Sequence, residues 1–182
     1  KINNVKAEDA INIVESSFSL NSVLINNTVS DGLDSDFSKG SVSYSEFSNI
    51  NGDALDFSGS DVSIGKTKAN NVKDKAVSAG EKSILNIKDS HFNNIGVGIV
   101  SKDGSSVVVS NTIILNYKLY AAMSYIKKDF YNAPSISIND GLVSDGNAYI
   151  RQKGTNMLVD GIKISESNLN VKKLYETMVM AK

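Results

Sequence analysis

Asp34 and Asp56 stand 22 residues apart inside two phrases of the same shape, Ser30-Asp31-Gly32-Leu33-Asp34 and Gly52-Asp53-Ala54-Leu55-Asp56. If each phrase belongs to one coil of a stack, the two carboxylates lie about one strand spacing apart, ~5 Å. Like charges that close raise the pKa of one partner. This suits an acid and nucleophile pair for glycoside cleavage, or a site that traps a divalent cation. Asp34, Asp36, Asp53 and Asp56 therefore form a candidate calcium set, with Asp31 able to add oxygens. The run Asp34-Ser35-Asp36-Phe37-Ser38 imitates the opening of a helical calcium hand, but the glycine and glutamate that such a loop needs further on are missing. A calcium site built across coils stays open beside a plainer reading, in which the aspartates are turn residues bonding their own backbone.

Lys75 and Lys102 are candidate bases. Metal-bridged acids, Asp56 among them, would hold a uronate carboxylate while one of these lysines removes the neighbouring proton, as in β-elimination. A lysine can do this only if burial or a nearby cation lowers its pKa. The segment 125–134, Tyr125-Ile126-Lys127-Lys128-Asp129-Phe130-Tyr131-Asn132-Ala133-Pro134, breaks the spacing and is expected to project as a loop. In it Tyr125 and Tyr131 are candidates to stack on sugar rings, and Lys127 and Lys128 to attract carboxylates or sulfates. With Asp34, Asp36, Asp56 and Lys102 they make up the candidate ligand-binding set. Charge changes sign along the chain, from Glu8, Asp9 and Asp31 to Arg151 and Lys153, and such charges also arise as mutually compensating surface pairs.

Composition removes other chemistries. The 182 residues contain no cysteine and one histidine, His91, so disulfides, thiolate nucleophiles, zinc clusters and histidine relays are set aside. A net charge of -1 gives no bulk field for nucleic acid. No apolar run approaches the ~20 residues of a membrane span, so no membrane insertion is expected.

The elements that must position these residues follow from a repeat. The phrases around Ala10, Gly32, Ala54, Ala76, Gly98, Ala121 and Ala148 recur, mostly at 22-residue intervals, with an apolar residue next to each. Asn27, Asn49, Asn71, Asn93 and Asn116 each lie five places ahead and predict an asparagine ladder at a tight corner. Between them, alternating runs such as Val62-Ser63-Ile64 and Leu85-Asn86-Ile87 read as short strands. One such coil cannot bury its apolar face alone and must stack on its neighbours. The fold expected is all-β: a right-handed parallel β-helix, a solenoid of about seven coils of about 22 residues, forming one domain over 1–182. If the Leu55 column points inward, Asn12, Asp34, Asp56 and Ser78 face out. The opposite parity would bury the aspartates, and the sequence leaves that choice open. The segment 165–182 loses the repeat and is expected to cap a strand edge.

The phrases at 30–40, 52–60, 74–81 and 100–105 resemble a bacterial right-handed β-helix repeat family of the pectin-lyase-like group, over nearly the whole chain. They also resemble domains attached to spore-coat-protein-H-type kinase domains in surface proteins, although no kinase motif occurs here. That resemblance implies a fragment of a longer chain with flanking domains, an extracellular, cell-surface or periplasmic setting, and a polysaccharide or other glycan as partner. Its relatives include lyases, hydrolases, epimerases and noncatalytic adhesins, so it implies the fold more strongly than an activity. The expected functions are carbohydrate binding or scaffolding first, a calcium-assisted lyase or epimerase of uronate polymers second, and a structural spacer third.

Overall fold

The computed structural model of the protein describes residues 1–144 and 148–176. Gly146 and Asn147 of the seventh repeat phrase, and residues 177–182 of the expected cap, lie outside the described residues.

Each coil contains three short strands. In one they are Leu24–Thr28, Asp31–Asp36 and Lys39–Ser43, and in the next Glu46–Ile50, Leu55–Ser58 and Asp61–Gly65. Equivalent strands of successive coils pair in parallel and build three faces. The first and second faces join into one 13-stranded sheet, because two long strands, Lys68–Gly80 and His91–Lys102, run through the corner between them. The third face is an 8-stranded sheet of seven parallel strands closed by one antiparallel strand, Ile162–Lys163. The protein is a parallel β-solenoid of about seven turns.

Alternation decides what is buried. Leu33, Leu55, Val77 and Ile99 stack inward on the second face, and Ser35, Phe57, Ala79 and Ser101 stack two residues on, all fully buried. Phe47, Ala69, Phe92 and Ile114 fill the core from the first face, and Val42, Ile64, Ile87 and Val109 from the third. The parity left open by the sequence is thus resolved, with Asp34 and Asp56 on the outside.

The chain turns each corner with a residue in the left-handed region. At the first corner these are Asn4, Asn27, Asn49, Asn71, Asn94 and Asn116. Asparagine tolerates this backbone, and its amide also bonds along the stack. Asn27 donates to Asn4 at 3.1 Å and Asn49 to Asn26 at 2.8 Å, while Asn49 accepts from Asn71 at 2.5 Å. The column runs through Asn94 rather than the expected Asn93. The register slips between Val72 and Lys75, where two residues, Lys73 and Asp74, stand opposite Gly96 alone. Asn93 instead donates to Asn70 at 3.0 Å and accepts from Asn116 at 2.8 Å. Asn49→Ala is expected to cost about 2–3 kcal/mol, from the left-handed backbone and two lost amide bonds. Asn49→Gly, which keeps the backbone, is expected to cost less; urea denaturation midpoints compare the two.

The other corners carry hydroxyl ladders. The backbone N–H groups of Ser16, Ser38, Ser60 and Ser83 each donate to the hydroxyl one coil on, in Ser38, Ser60, Ser83 and Ser105, at 3.0–3.1 Å. Val23 donates in the same way to Ser45, Thr67 to Ser90, and Ser90 to Thr112.

The C-terminal segment lies over the second face. Asn170 caps the short helix Val171–Leu174 by accepting from the Lys173 N–H at 3.0 Å. Leu169, Val171, Leu174 and Tyr175 pack on Val97, Val100, Met123 and Tyr125.

Candidate functional site

The outward positions of the second face form two rows along the solenoid axis. One runs Asn12, Asp34, Asp56, Ser78, Val100, Met123, and the other Val14, Asp36, Ser58, Gly80, Lys102, Tyr125. The acidic end of these rows is only partly buried, whereas the apolar end lies beneath the C-terminal segment.

The pairing Asp34↔Asp56 puts the two carboxylates on neighbouring strands, as the 22-residue spacing implies. Partial burial, then the charges of Asp56, Asp36, Asp9 and Asp31, raise the Asp34 carboxyl to about 7. Burial, Asp56 and Glu81 raise Asp36 as well. Lys102 reaches back over this row. Its Nζ donates to Ser78 Oγ at 2.7 Å and lies 3.9 Å from Asp56 Oδ1. It crosses Gly80, where a Cβ would come within 2.9 Å of Lys102 Cε. Gly80→Ala is therefore expected to displace Lys102 and alter whatever binding depends on it, with little change in global stability by urea denaturation.

The connection 126–134 is pinned at the margin of this face. Lys128 pairs with Glu81, Tyr131 donates to Glu81 Oε2 at 3.3 Å, and buried Asp103 accepts the N–H groups of Lys127 and Lys128 at 2.7 and 2.8 Å. The hydrogen bond from Lys128 holds the Glu81 carboxyl below its ordinary range. Phe130 is 77% exposed, with its ring 4.7 Å from that of Tyr131. The exposed aromatic edge at this margin thus comes from Phe130, with half-buried Tyr131 beside it, and Phe37 is exposed at the corner after Asp36.

Three expectations are corrected. Tyr125 is fully buried at the end of the strand Ala122–Tyr125, and its hydroxyl is 2.7 Å from that of Tyr175, so it offers no face to a sugar. Lys75 is buried in an ion triad, 3.1 Å from Asp53 and 2.7 Å from Asp74. Burial alone would lower its pKa, but Asp53 and Asp74 outweigh this and push it above the usual lysine value, so Lys75 is not a base for an external substrate. Asp53 is no open metal ligand, because its oxygens accept from Lys75 N at 3.0 Å and Lys75 Nζ at 3.1 and 3.3 Å. Lys127 lies 4.3 Å over the Tyr175 ring. Among the described residues no group of three or more His, Cys, Asp or Glu side chains is placed to hold a metal ion.

Sequence reasoning passed over Asp74, Glu81, Asp103 and Tyr175. For Glu81 and Asp103 the signal was present: both occupy the left-handed corner after the second face, in line with Phe37 and Gly59. A separate groove of about 340 Å³ runs along the first corner beside Asn27, Asn49, Asn71, Val29 and Lys73.

The solenoid defines the class of molecule, an all-β parallel β-solenoid whose half-covered second face carries a polar strip. Comparison with protein-family models, with curated proteins and with solved structures gives no match.

Proposed function

We propose that the chain is a carbohydrate-associated β-helix module of the cell surface or envelope, which binds or scaffolds polysaccharide rather than turning it over. Membership of the pectin-lyase-like group, flanking domains and an extracellular setting belong to the same proposal. The supporting observation is the open half of the second face. Asp34, Asp36, Asp56, Ser58 and Lys102 repeat there at strand spacing along the axis, beside the aromatic margin. A linear polymer laid along the axis meets hydrogen-bonding groups in each coil and rings on which a sugar can stack.

Charge narrows the glycan. Burial first, and then the neighbouring acids, raise two of the strip's carboxyls; a uronate polymer would bring further like charge to Asp34, Asp36 and Asp56 and be repelled. Neutral or amino-sugar polymers fit the acids better. Affinity electrophoresis through gels containing a neutral glucan, chitosan or polygalacturonate tests this. The chain is expected to be retarded by one of the first two and Asp34→Asn/Asp56→Asn to run unretarded. No retardation in any gel, or equal retardation of the variant, refutes the proposal.

A second reading rests on Asp34 alone. A carboxyl at about 7 can donate and accept a proton near neutrality, the requirement for acid–base turnover of a glycan. Release of reducing ends, or of an unsaturated sugar absorbing in the ultraviolet, would favour it.

A further inference from the structure

Lys75, Asp53 and Asp74 form a closed group outside the strip. Their side chains are 2%, 1% and 6% exposed, and one ammonium faces two carboxylates. Two negative charges against one positive is a costly arrangement in a dry site, where each buried ion gives up its hydration. Asp74 Oδ1 has no hydrogen-bond partner, and burial and Asp53 raise the Asp74 carboxyl against the opposing pull of Lys75. The group lies close to Tyr125 and Tyr175, beneath the C-terminal cover.

We propose that Lys75 and Asp53 condense into an intramolecular isopeptide bond that ties two successive coils together, with Asp74 as the proton carrier. The geometry supplies each part. Nζ lies 3.1 and 3.3 Å from the two Asp53 oxygens, and Asp74 Oδ2 is 2.7 Å from Nζ. The Lys75 backbone N–H donates to Asp53 Oδ1 at 3.0 Å, where charge collects as the carbon becomes tetrahedral. Against the pull of Asp53 and Asp74 that keeps Lys75 charged, Nζ gives a proton to Asp74, and its freed lone pair forms the N–Cγ bond. Asp74 passes that proton, and then a second one from nitrogen, to Asp53 Oδ2. The Cγ–Oδ2 bond breaks and the oxygen leaves as water. One carboxylate and one ammonium thus become one amide and one water, and no other reactant is needed. Holding the reactants together in this way corresponds to effective concentrations of order 10⁵ M or more for well-oriented groups, and the expelled water leaves a dry site. Condensation also removes the buried ion pair, leaving Asp74 as the one titratable carboxyl of the group.

Intact mass of the denatured full chain, after incubation at neutral pH, tests the proposal directly. The chain is expected to be one water lighter than its sequence. Trypsin should fail to cut after Lys75 and should yield a branched product joining peptides 40–66 and 74–82. That product should survive mild alkali, which opens the cyclic imides that Asp-Gly steps such as Asp31-Gly32 form. Lys75→Arg and Asp74→Asn should both show the full mass, the latter with the wild-type circular dichroism spectrum. Full mass with cleavage after Lys75 in the wild-type chain overturns the proposal, whether or not the variants fold. So does a loss of water that alkali reverses. Retention of the bond in Asp74→Asn overturns the part given to Asp74.

Discussion

Lys75→Met is expected to destabilise the solenoid by about 3–5 kcal/mol, the usual cost of removing one partner from a buried ion group. Asp53 and Asp74 would then face each other without a counter-charge, in a site where their side chains are 1% and 6% exposed. Methionine fills much the same volume, so packing contributes little to the loss. The triple variant Lys75→Met/Asp53→Asn/Asp74→Asn is expected to recover much of it, since no uncompensated charge remains. Urea denaturation followed by circular dichroism measures both. A Lys75→Met loss below about 1 kcal/mol, the value of an exposed pair, would contradict the placement of this triad. The loss is larger where the Lys75–Asp53 amide has formed.

Stability is also expected to fall as pH rises from about 4 to about 7. Burial and its acidic neighbours raise the Asp34 carboxyl from 3.8 to about 7 in the folded chain. Between these values the folded state holds a proton that the unfolded state has released. The favourable contribution is complete below the unfolded value and is lost as pH rises through the folded one. Asp36 and Asp74 are shifted in the same direction and add to the slope. Asp34→Asn removes one carboxylate from the strip. It is expected to stabilise the chain by about 1–2 kcal/mol at pH 8, a figure discounted because the side chain is half-exposed, and to change nothing at pH 4. A variant less stable than wild type at pH 8 would show that Asp34 is held by favourable partners instead.

Particular residues show how much of this was legible in the sequence. Strand positions, coil length and parallel stacking follow from Leu33, Leu55, Val77 and Ile99 recurring with a small residue before each, because only stacking buries that column. The asparagine corner was legible too, apart from the slip from Asn93 to Asn94. That slip arises because the coil of Asn94 is one residue short at Gly96, which stands opposite both Lys73 and Asp74, and a regular count cannot see this. The hydroxyl ladders were visible as Ser16, Ser38, Ser60, Ser83 and Ser105 at 22- and 23-residue intervals, but in a chain this rich in serine the spacing does not stand out.

The site was legible in its spacing but not in its burial. Asp34 and Asp56 neighbour each other as their repeat positions require. From sequence Lys75 is a candidate base, with no residue pattern that shows its burial. It becomes buried because its column continues Asp31, Asp53, Lys75, Val97 and because residues 169–175 fold back nearby. That cover had a trace in the outward row, which changes from Asp34, Asp56 and Ser78 to Val100 and Met123. An outward row that turns apolar needs something to cover it.

The most direct measurement of the central claim, that the open half of the second face meets the polysaccharide, is carbodiimide labelling of carboxylates read by mass spectrometry. It is done with and without the polymer that retards the chain most. Protection of Asp34, Asp36 and Asp56, with Asp61 at the start of a third-face strand and Asp89 at the next corner labelled as before, is the result predicted. Unchanged labelling on the second face, or protection confined to Asp61 and Asp89, would contradict it.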